Sequence, residues 1–387
     1  MTDQQQDSAE LEDLAAWLRQ AHRRVLLITG GASFETSGAR AALEPLLVGR
    51  ATACFPVSGS LPTLELVEAG MAACRRHHPD VIVAVGGGLV LDTAKAIRVL
   101  VVQTSSPRAI VLETPRRLVA GPPLAAIPTT AGSGAEATAF AVVYVDGRKQ
   151  SLAHPSVRPD LAVLEPRFTH SLPPAVTASS GFDAVSHAVE AFWSIRSTGP
   201  SRTHSRRALA QLLPNLPAAV SRPTPAIRRA LVEGAHEAGQ AINLARTTAG
   251  HGLTYGLSVR YSLSHGAAVA LVLPGLVGFN AGVGTDDCRD RRGVEFVKRR
   301  LAELYRLLGA HDPVGARTRL EDLIRTVGLA SELTVEQPAA AVDQLLADAN
   351  PARLNNNPRQ LTASAQRDLL AAVLVPAKGR TLDRGAG

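Results

Sequence analysis

Residues 81–97, VIVAVGGGLVLDTAKAI, restrict the fold of this chain more than any other stretch. Val81 to Val85 form an unbroken, mostly β-branched apolar run, which predicts a strand covered on both faces, as in a parallel sheet. Gly86, Gly87 and Gly88 then predict a tight turn, and Leu91 to Ile97 the start of a helix. Glycines let the backbone come close to a diphosphate, whose charge meets the exposed N–H groups at a helix start. The strand–GGG–helix unit therefore favours nucleotide binding over an ordinary turn, although it is neither the GxGxxG fingerprint nor a Walker A loop.

The surrounding text alternates in the same way. RRVLLITG reads as a strand, TSGARAALEPLL and LPTLELVEAGMAACRRH as helices. Such alternation calls for a parallel sheet with helices on its faces, a Rossmann-like α/β dinucleotide-binding domain. The character changes across HPSVRPDLAVLEPRFTHSLPP, residues 154–174, where Pro173 and Pro174 stop one pattern before the next begins. Beyond it, SRRALAQLLPNLPAAV and IRRALVEGAHEAGQAINLAR predict packed amphipathic helices. We therefore expect an α/β domain over 1–170 and an all-α domain over 171–387. A chain of 387 residues, 45% hydrophobic, can fill two cores. No internal repeat is found, residues 283–293 read as a charged loop, and the last ten residues as a loose tail.

Four residues near the middle form a candidate ligand set for one divalent metal. Asp183 and His187, in GFDAVSHAVEAFW, are an i, i+4 pair on one face of a helix. His251 and His265 bracket HGLTYGLSVRYSLSH. Three imidazoles and one carboxylate suit Fe²⁺ or Zn²⁺ better than Ca²⁺ or Mg²⁺, which prefer oxygen. Each pair alone has a plainer reading: a surface or capping pair for the first, turns for the second, since glycine follows each histidine. A further segment, AAIPTTAGSGAEATAFAVVYV (125–145), places Pro128, Thr129, Thr130, Gly132, Ser133 and Gly134 in a small-residue loop. Its hydroxyls and N–H groups suit a ribose or a nicotinamide amide, and equally a plain surface loop.

Together these segments resemble the iron-containing (group III) alcohol dehydrogenases. GGGLVLDTAK resembles that family's GGGSxxDxAK motif, and AIPTTAGSGAEAT its PTTAGTGSE loop. GFDAVSHAVEAF resembles its GxDALTHAxE helix, and HGLTYGLSVRYSLSHG its two-histidine segment. The order agrees, and the match runs from about Val25 to Asn280. The resemblance implies a dehydroquinate synthase-like architecture: an N-terminal dinucleotide-binding domain, a helical C-terminal domain and a metal in the cleft between them. It implies metal ligands at Asp183, His187, His251 and His265, and a diphosphate loop at Gly86, Gly87, Gly88 and Asp92. Cofactor contacts are implied at Thr129 and Thr130, with Ser133 in the same loop, and at Lys149. Lys95, which closes the DTAK motif, joins the cofactor candidates.

Several positions depart from the family pattern. Leu89 stands where Ser is usual, which removes a hydroxyl contact and leaves the backbone amides. Ala135 replaces a usual Ser, and Tyr255 sits where many members carry a further His. Gly30, in VLLITGG, sits where NAD-preferring members often have Asp at the end of the second strand. That Asp would hold the ribose 2′-OH, and its absence leaves room for a 2′-phosphate. The expected cofactor is NADPH or NADH, with NADPH favoured.

A narrower resemblance is to the phosphonoacetaldehyde reductases of this family, carried by AFWSIRST (191–198), ARTTAGHGLTYGL (245–257) and NNNPRQLT (355–362). It implies reduction of phosphonoacetaldehyde to 2-hydroxyethylphosphonate in phosphonate natural-product pathways, including antibiotic biosynthesis. Phosphonopyruvate and simple aldehydes are the alternative substrates. A phosphonate needs cationic partners, and Arg offers a planar fork for its oxygens. Arg196, Arg202, Arg246 and Arg260 flank the metal motifs. Of these Arg196, Arg246 and Arg260 are the substrate candidates, though any one also reads as a solvated surface arginine. In the implied chemistry the metal polarises the aldehyde oxygen as hydride arrives from the nicotinamide. Tyr255 or a bound water then supplies the alkoxide's proton, and Lys149 is the other catalytic candidate.

The net charge of +7 and pI near 9.8 raise the question of nucleic acid. No basic run is interleaved with aromatics, however, and an aromatic content of 4% leaves few stacking platforms. A positive field that attracts an anionic substrate and cofactor is a sufficient account. Arginines number 37 and lysines four (Lys95, Lys149, Lys298 and Lys378), so a lysine retained within a motif draws interest. Cys54, Cys74 and Cys288, widely spaced and without a CxxC, indicate reduced thiols in a cytoplasmic protein. MTDQQQDSAELEDLAAWLRQ is too polar for a signal peptide, and no apolar run reaches the roughly 18 residues that span a bilayer. The longest, Ala267 to Phe279, contains Pro274 and reads as buried helix. The expected partners are a small anionic aldehyde and a second copy of the chain, with no nucleic acid and no membrane. A metal-dependent hydrolase or lyase would leave the GGG unit and the PTTAG loop idle, and a basic nucleic-acid binder would leave the ligand set idle.

Overall fold

The computed structural model describes residues 10–20 and 23–377. The expected loose tail, Lys378 and the first nine residues of the N-terminal segment lie outside the described residues. The chain forms two compact units, one of Met1–Phe192 with Arg196–Arg246, the other of Trp193–Ile195 with Thr247–Gly387.

The first unit begins with α1 (Leu11–Leu18), β1 (Arg24–Gly30), α2 (Ala32–Thr36), α3 (Ala39–Leu47), β2 (Ala51–Val57) and α4 (Leu64–His77). It continues with β3 (Val81–Gly86), α5 (Gly88–Leu100), α6 (Pro107–Leu112), β4 (Leu124–Pro128), the hairpin β5 (Phe140–Val145) and β6 (Arg148–Ala153), and β7 (Leu161–Ala162). Helices α7 (Pro174–Trp193), α8 (Gly199–Ser221) and α9 (Pro225–Ala245) follow, the last residue of α7 belonging to the second unit. Five strands form one sheet in the order β2-β1-β3-β4-β7, and every neighbouring pair is parallel. β3 is buried at all six positions, as its unbroken apolar run predicts. Alternate residues face two cores: Leu26, Ile28, Ile82 and Ala84 pack with α4 and α5, while Leu27, Val81, Val83 and Val85 pack with α1 and α3. The strand order reverses between β1 and β3, and open α/β sheets bind ligands beyond the carboxyl ends of strands at such a point.

Helical text starts at Pro174, close to the expected boundary, and α8 and α9 belong to the same compact unit as the sheet. α8 and α9 stay with the sheet because α9 packs on the short 3-10 turns at Ala135–Ala137 and Pro166–Thr169. β2 has no counterpart in the sequence reading: it is an edge strand, mostly exposed, and carries Pro56.

The second unit contains α10 (Ala249–Leu253), α11 (Tyr255–Tyr261), α12 (His265–Ala281), α13 (Val294–Leu307) and α14 (Pro313–Thr326). These are followed by β8 (Leu333–Val335), α15 (Pro338–Ala347), α16 (Pro351–Leu354), α17 (Ala363–Ala371) and β9 (Leu374–Pro376). The expected Ala267–Phe279 helix is the body of α12, largely buried and continuous through Pro274. The unit is not purely helical, since β8 and β9 form a short parallel ladder. Among the described residues no helix is long and apolar enough to cross a membrane.

Candidate active site

In the first unit the ends of β1 and β3 and the loop after β4 form a glycine-lined corner. Gly30 ends β1, Gly86 ends β3, and Thr129 N donates to Gly86 O at 3.0 Å. A methyl group added at Gly86 would fall 2.4 Å from Val90 Cγ2, and one at Gly30 would meet Val90 Cγ2 at 3.6 Å and Ser33 Oγ at 2.4 Å. Val90 in the first turn of α5 thus fills the space between the two strand ends. The loop after β4 closes on the same corner, with Gly87 facing Thr130 at 3.4 Å and Gly88 facing Ser133 at 3.1 Å by the same measure. Gly87 caps α5 without a side chain, so no side-chain cap covers the first N–H groups of the helix. Gly30, Gly86, Gly87, Gly88, Thr129, Thr130 and Ser133 therefore come together. Two expectations are corrected. The helix begins at Gly88 rather than Leu91, and Gly30 closes the first strand in chain order rather than the second.

Lys95 lies deeper along α5 and is fully buried. Its Nζ donates to Ala135 O and Thr138 Oγ1, both at 2.8 Å, and to Asp92 Oδ1 at 3.3 Å. Asp92 Oδ2 in turn accepts from Val142 N at 3.0 Å. Burial pushes the Lys95 pKa down, against the neighbouring charges of Asp92 and Glu136. All three Lys95 donors are engaged inside the protein, where they tie α5 to the PTTAG loop. From the opposite side Glu136 Oε1 pairs with His236 Nδ1 on α9 at 3.2 Å. Gly134, at φ +60°, approaches Gly239 so closely that a methyl on Gly134 would lie 2.4 Å from the Gly239 Cα. His236 and Gly239 escaped sequence reasoning because their partners are about a hundred residues away and neither lies in a motif. Lys149 is half-buried on β6, paired with Tyr144 across a hairpin whose turn, Asp146–Gly147, has both residues at positive φ.

Asp183 and His187 sit one turn apart on α7, both buried, with Asp183 Oδ1 3.7 Å from His187 Nε2. Ala191 continues the same stripe another turn along and packs with Ala241, Ile242, Ala245 and Phe140. In the second unit His251 is buried on α10, and His265 opens α12 half-buried. Their ring centroids are 5.0 Å apart with planes at 70°, and the Tyr255 ring lies 6.5 Å from that of His265. Asp183, His187 and His251 each offer one ligand atom of a kind that a first-row divalent metal accepts.

Two family models match the chain: iron-containing alcohol dehydrogenase over residues 4–166, and the C-terminal region of the same family over 177–374. The chain belongs to the iron-containing alcohol dehydrogenase family. It is accordingly an NAD(P)-dependent alcohol dehydrogenase or aldehyde reductase. Its similarity to a phosphonoacetaldehyde reductase of Streptomyces viridochromogenes is 36% identity over 329 residues, 80% of either chain. A 1-propanol dehydrogenase of Citrobacter freundii is 30% identical over 325 residues, 81% of this chain and 83% of the relative. The crystal structure of a sulfoacetaldehyde reductase from Bifidobacterium kashiwanohense, in complex with NAD⁺, matches with a TM-score of 0.80 at 24% identity. That match covers 95% of this chain and 98% of the other, and it speaks for a shared fold.

Within this family member, the three stretches that suggest the phosphonate subgroup are joined in the second unit. Ile195 N donates to Asn356 O at 3.1 Å, and Asn356 Nδ2 donates to Thr247 O at 2.9 Å. Trp193 Nε1 donates to Thr248 Oγ1 at 2.8 Å. The candidate arginines differ in their surroundings. Arg196 is exposed, and Arg260 forks onto Asp348 with bonds of 2.6 and 3.1 Å. Arg246 is half-buried, with its guanidinium 4.6 Å above the Phe140 ring.

Proposed function

We propose that this chain reduces phosphonoacetaldehyde to 2-hydroxyethylphosphonate, with NADPH or NADH as hydride donor and a divalent metal, Fe²⁺ or alternatively Zn²⁺. The similarity to the Streptomyces reductase across four-fifths of both chains carries the reading. The hydrogen-bonded union of residues 193–195, 247–248 and 356 supports it, because those stretches carry the narrower resemblance.

The donor chemistry fits the metal: one buried carboxylate and three imidazoles form a set that Fe²⁺ and Zn²⁺ both accept. When bound, the metal supplies Lewis acidity and the nicotinamide supplies hydride. The protein's residues do the rest. Asp183 and His187, one turn apart on α7, would hold the metal, with His251 and His265 as the further ligands. The amides of Gly86 to Gly88 bind the diphosphate at the start of α5. Thr129, Thr130 and Ser133 line the nicotinamide side, Gly30 faces the ribose, and Lys149 adds a cation for the cofactor. Asp92 and Lys95 hold the loop that carries the threonines. Tyr255 delivers the proton that turns the alkoxide into the alcohol.

A substrate panel with both cofactors, followed at 340 nm, tests the proposal. The highest kcat/KM is expected on phosphonoacetaldehyde, above phosphonopyruvate and propanal. Equal efficiency on propanal would reduce the assignment to a general alcohol dehydrogenase, closer to the Citrobacter relative.

A further inference from the structure

One stripe of α9 grips the segment that follows the PTTAG loop. His236, Gly239, Gln240 and Asn243 stand at i, i+3, i+4 and i+7 of that helix and so share a face. Gly239 receives Gly134, His236 pairs with Glu136, and Asn243 Oδ1 accepts from Ala139 N at 2.8 Å. Residues 134–139, which come directly after Ser133, are thus held at three points on one helix.

The middle contact has a defined proton. Arg158 Nη2 donates to Gln240 Oε1 at 3.2 Å, which turns the amide Nε2 towards His236. Gln240 Nε2 lies 3.3 Å from His236 Nε2, so that ring nitrogen is the acceptor. The imidazole proton therefore sits on Nδ1 and is donated to Glu136 Oε1 at 3.2 Å. Glu136, His236 and Gln240 are all buried, where such bonds are stronger than in water. On the other side of the turn, Ala135 O accepts from Lys95 Nζ at 2.8 Å, and Ala135 N donates to Ser133 Oγ at 3.3 Å. A shift of Glu136 is thereby passed to Ser133, the residue that faces Gly88 at the start of α5.

We infer that His236, oriented by Gln240 and Arg158 and bonded to Glu136, is a positioning residue that sets the loop of Thr129, Thr130 and Ser133 for the nicotinamide cofactor. The inference rests on the placement of the cofactor against that loop proposed above. The hydrogen-bonded chain acts through the loop, as supporting residues behind a binding site do. A pair that served stability alone would lower the melting temperature and leave the cofactor affinity of the folded enzyme unchanged.

The test uses the holoenzyme well below the melting temperature of every variant. It measures the dissociation constants of NADPH and NADH by fluorescence titration, and kcat on propanal at saturating cofactor. His236→Leu is expected to weaken the better-bound cofactor about tenfold and to leave kcat within about twofold. His236→Asn keeps an N–H near the place of Nδ1 and should return the dissociation constant to within about threefold of wild type. Should His236→Leu fail to fold, Gln240→Met decides: it frees the ring to turn at similar volume, and a rise of about threefold is expected. Thr130→Val, which removes a hydroxyl from the loop itself, should also raise the dissociation constant. Unchanged affinity in the folded His236 and Gln240 variants, beside a loss in Thr130→Val, overturns the positioning role, as does a loss that His236→Asn fails to restore. Unchanged affinity in Thr130→Val overturns instead the placement of the cofactor against the loop.

Discussion

Replacing Gly30 by aspartate is expected to turn the enzyme towards NADH. Gly30 ends β1 where the strand order reverses, the place where an open α/β sheet receives the ribose of a dinucleotide. The structure has room for the change. Gly30 is not at positive φ, and its added Cβ would be in ordinary contact with Val90 Cγ2 at 3.6 Å. The only close atom is Ser33 Oγ at 2.4 Å, the end of a hydroxymethyl group that can rotate away. A carboxylate there accepts a hydrogen bond from the ribose 2′-OH, worth about 1.5–3 kcal/mol, or tenfold to a hundredfold in affinity. Towards NADPH the same carboxylate meets a 2′-phosphate of like charge. The two effects oppose each other across the cofactors, so the NADPH-to-NADH ratio of kcat/KM should fall by about 100-fold or more. Initial rates at 340 nm with varied cofactor measure the ratio, and a melting curve checks the fold. Adding Ser33→Ala removes the one tight contact and should leave the switch in place. An unchanged ratio in a variant that melts like wild type would refute the placement of the ribose at the end of β1.

His265→Ala should lose both bound metal and turnover, and full metal content by elemental analysis with full activity would remove His265 from the site. Gly134→Ala should weaken NAD(P)H binding by fluorescence titration and lower the melting temperature, because left-handed strain of about 1–2 kcal/mol adds to an immovable backbone contact with Gly239. Gly239→Ala meets the same contact from within a regular helix and recovers about 1 kcal/mol of helix propensity, so equal losses in the two variants would contradict the strain argument. Asp290→Ala leaves the buried Arg300 guanidinium without its carboxylate and should destabilise the protein by about 3–5 kcal/mol. Burial pushes the Asp290 carboxyl up, but hydrogen bonds from Arg292 and Arg300 outweigh it and hold the pKa below the usual value. Its folded-state pKa is therefore depressed, so the stabilisation is present above about pH 4 and lost as pH falls through the folded value. The gap between wild type and variant, read from urea melts, should close only in strong acid.

The parts of the fold that were legible are those specified by neighbouring residues. The β3–α5 unit combines an unbroken apolar run with three glycines, and no competing pattern matches it. β2 was not legible, because an edge strand needs only partial burial and tolerates Pro56, so ATACFPV lacks both the run and the alternation. The division into compact units was not legible either. It depends on α9 closing against the 134–137 turn through Gly134 and Gly239, a contact about a hundred residues apart in sequence. Motif text located Lys95 correctly but could not give its direction. Packing turns the ammonium towards Ala135 and Thr138.

Charge alone cannot single out a substrate residue in a chain with 37 arginines. Many guanidinium forks meet carboxylates within the protein, as in Arg98 with Asp160, Arg167 with Glu165, and Arg359 with Asp287. Arginine abundance therefore says little about the ligand, and the phosphonate-to-propanal ratio of kcat/KM is the measurement that tests the substrate reading without depending on any one arginine.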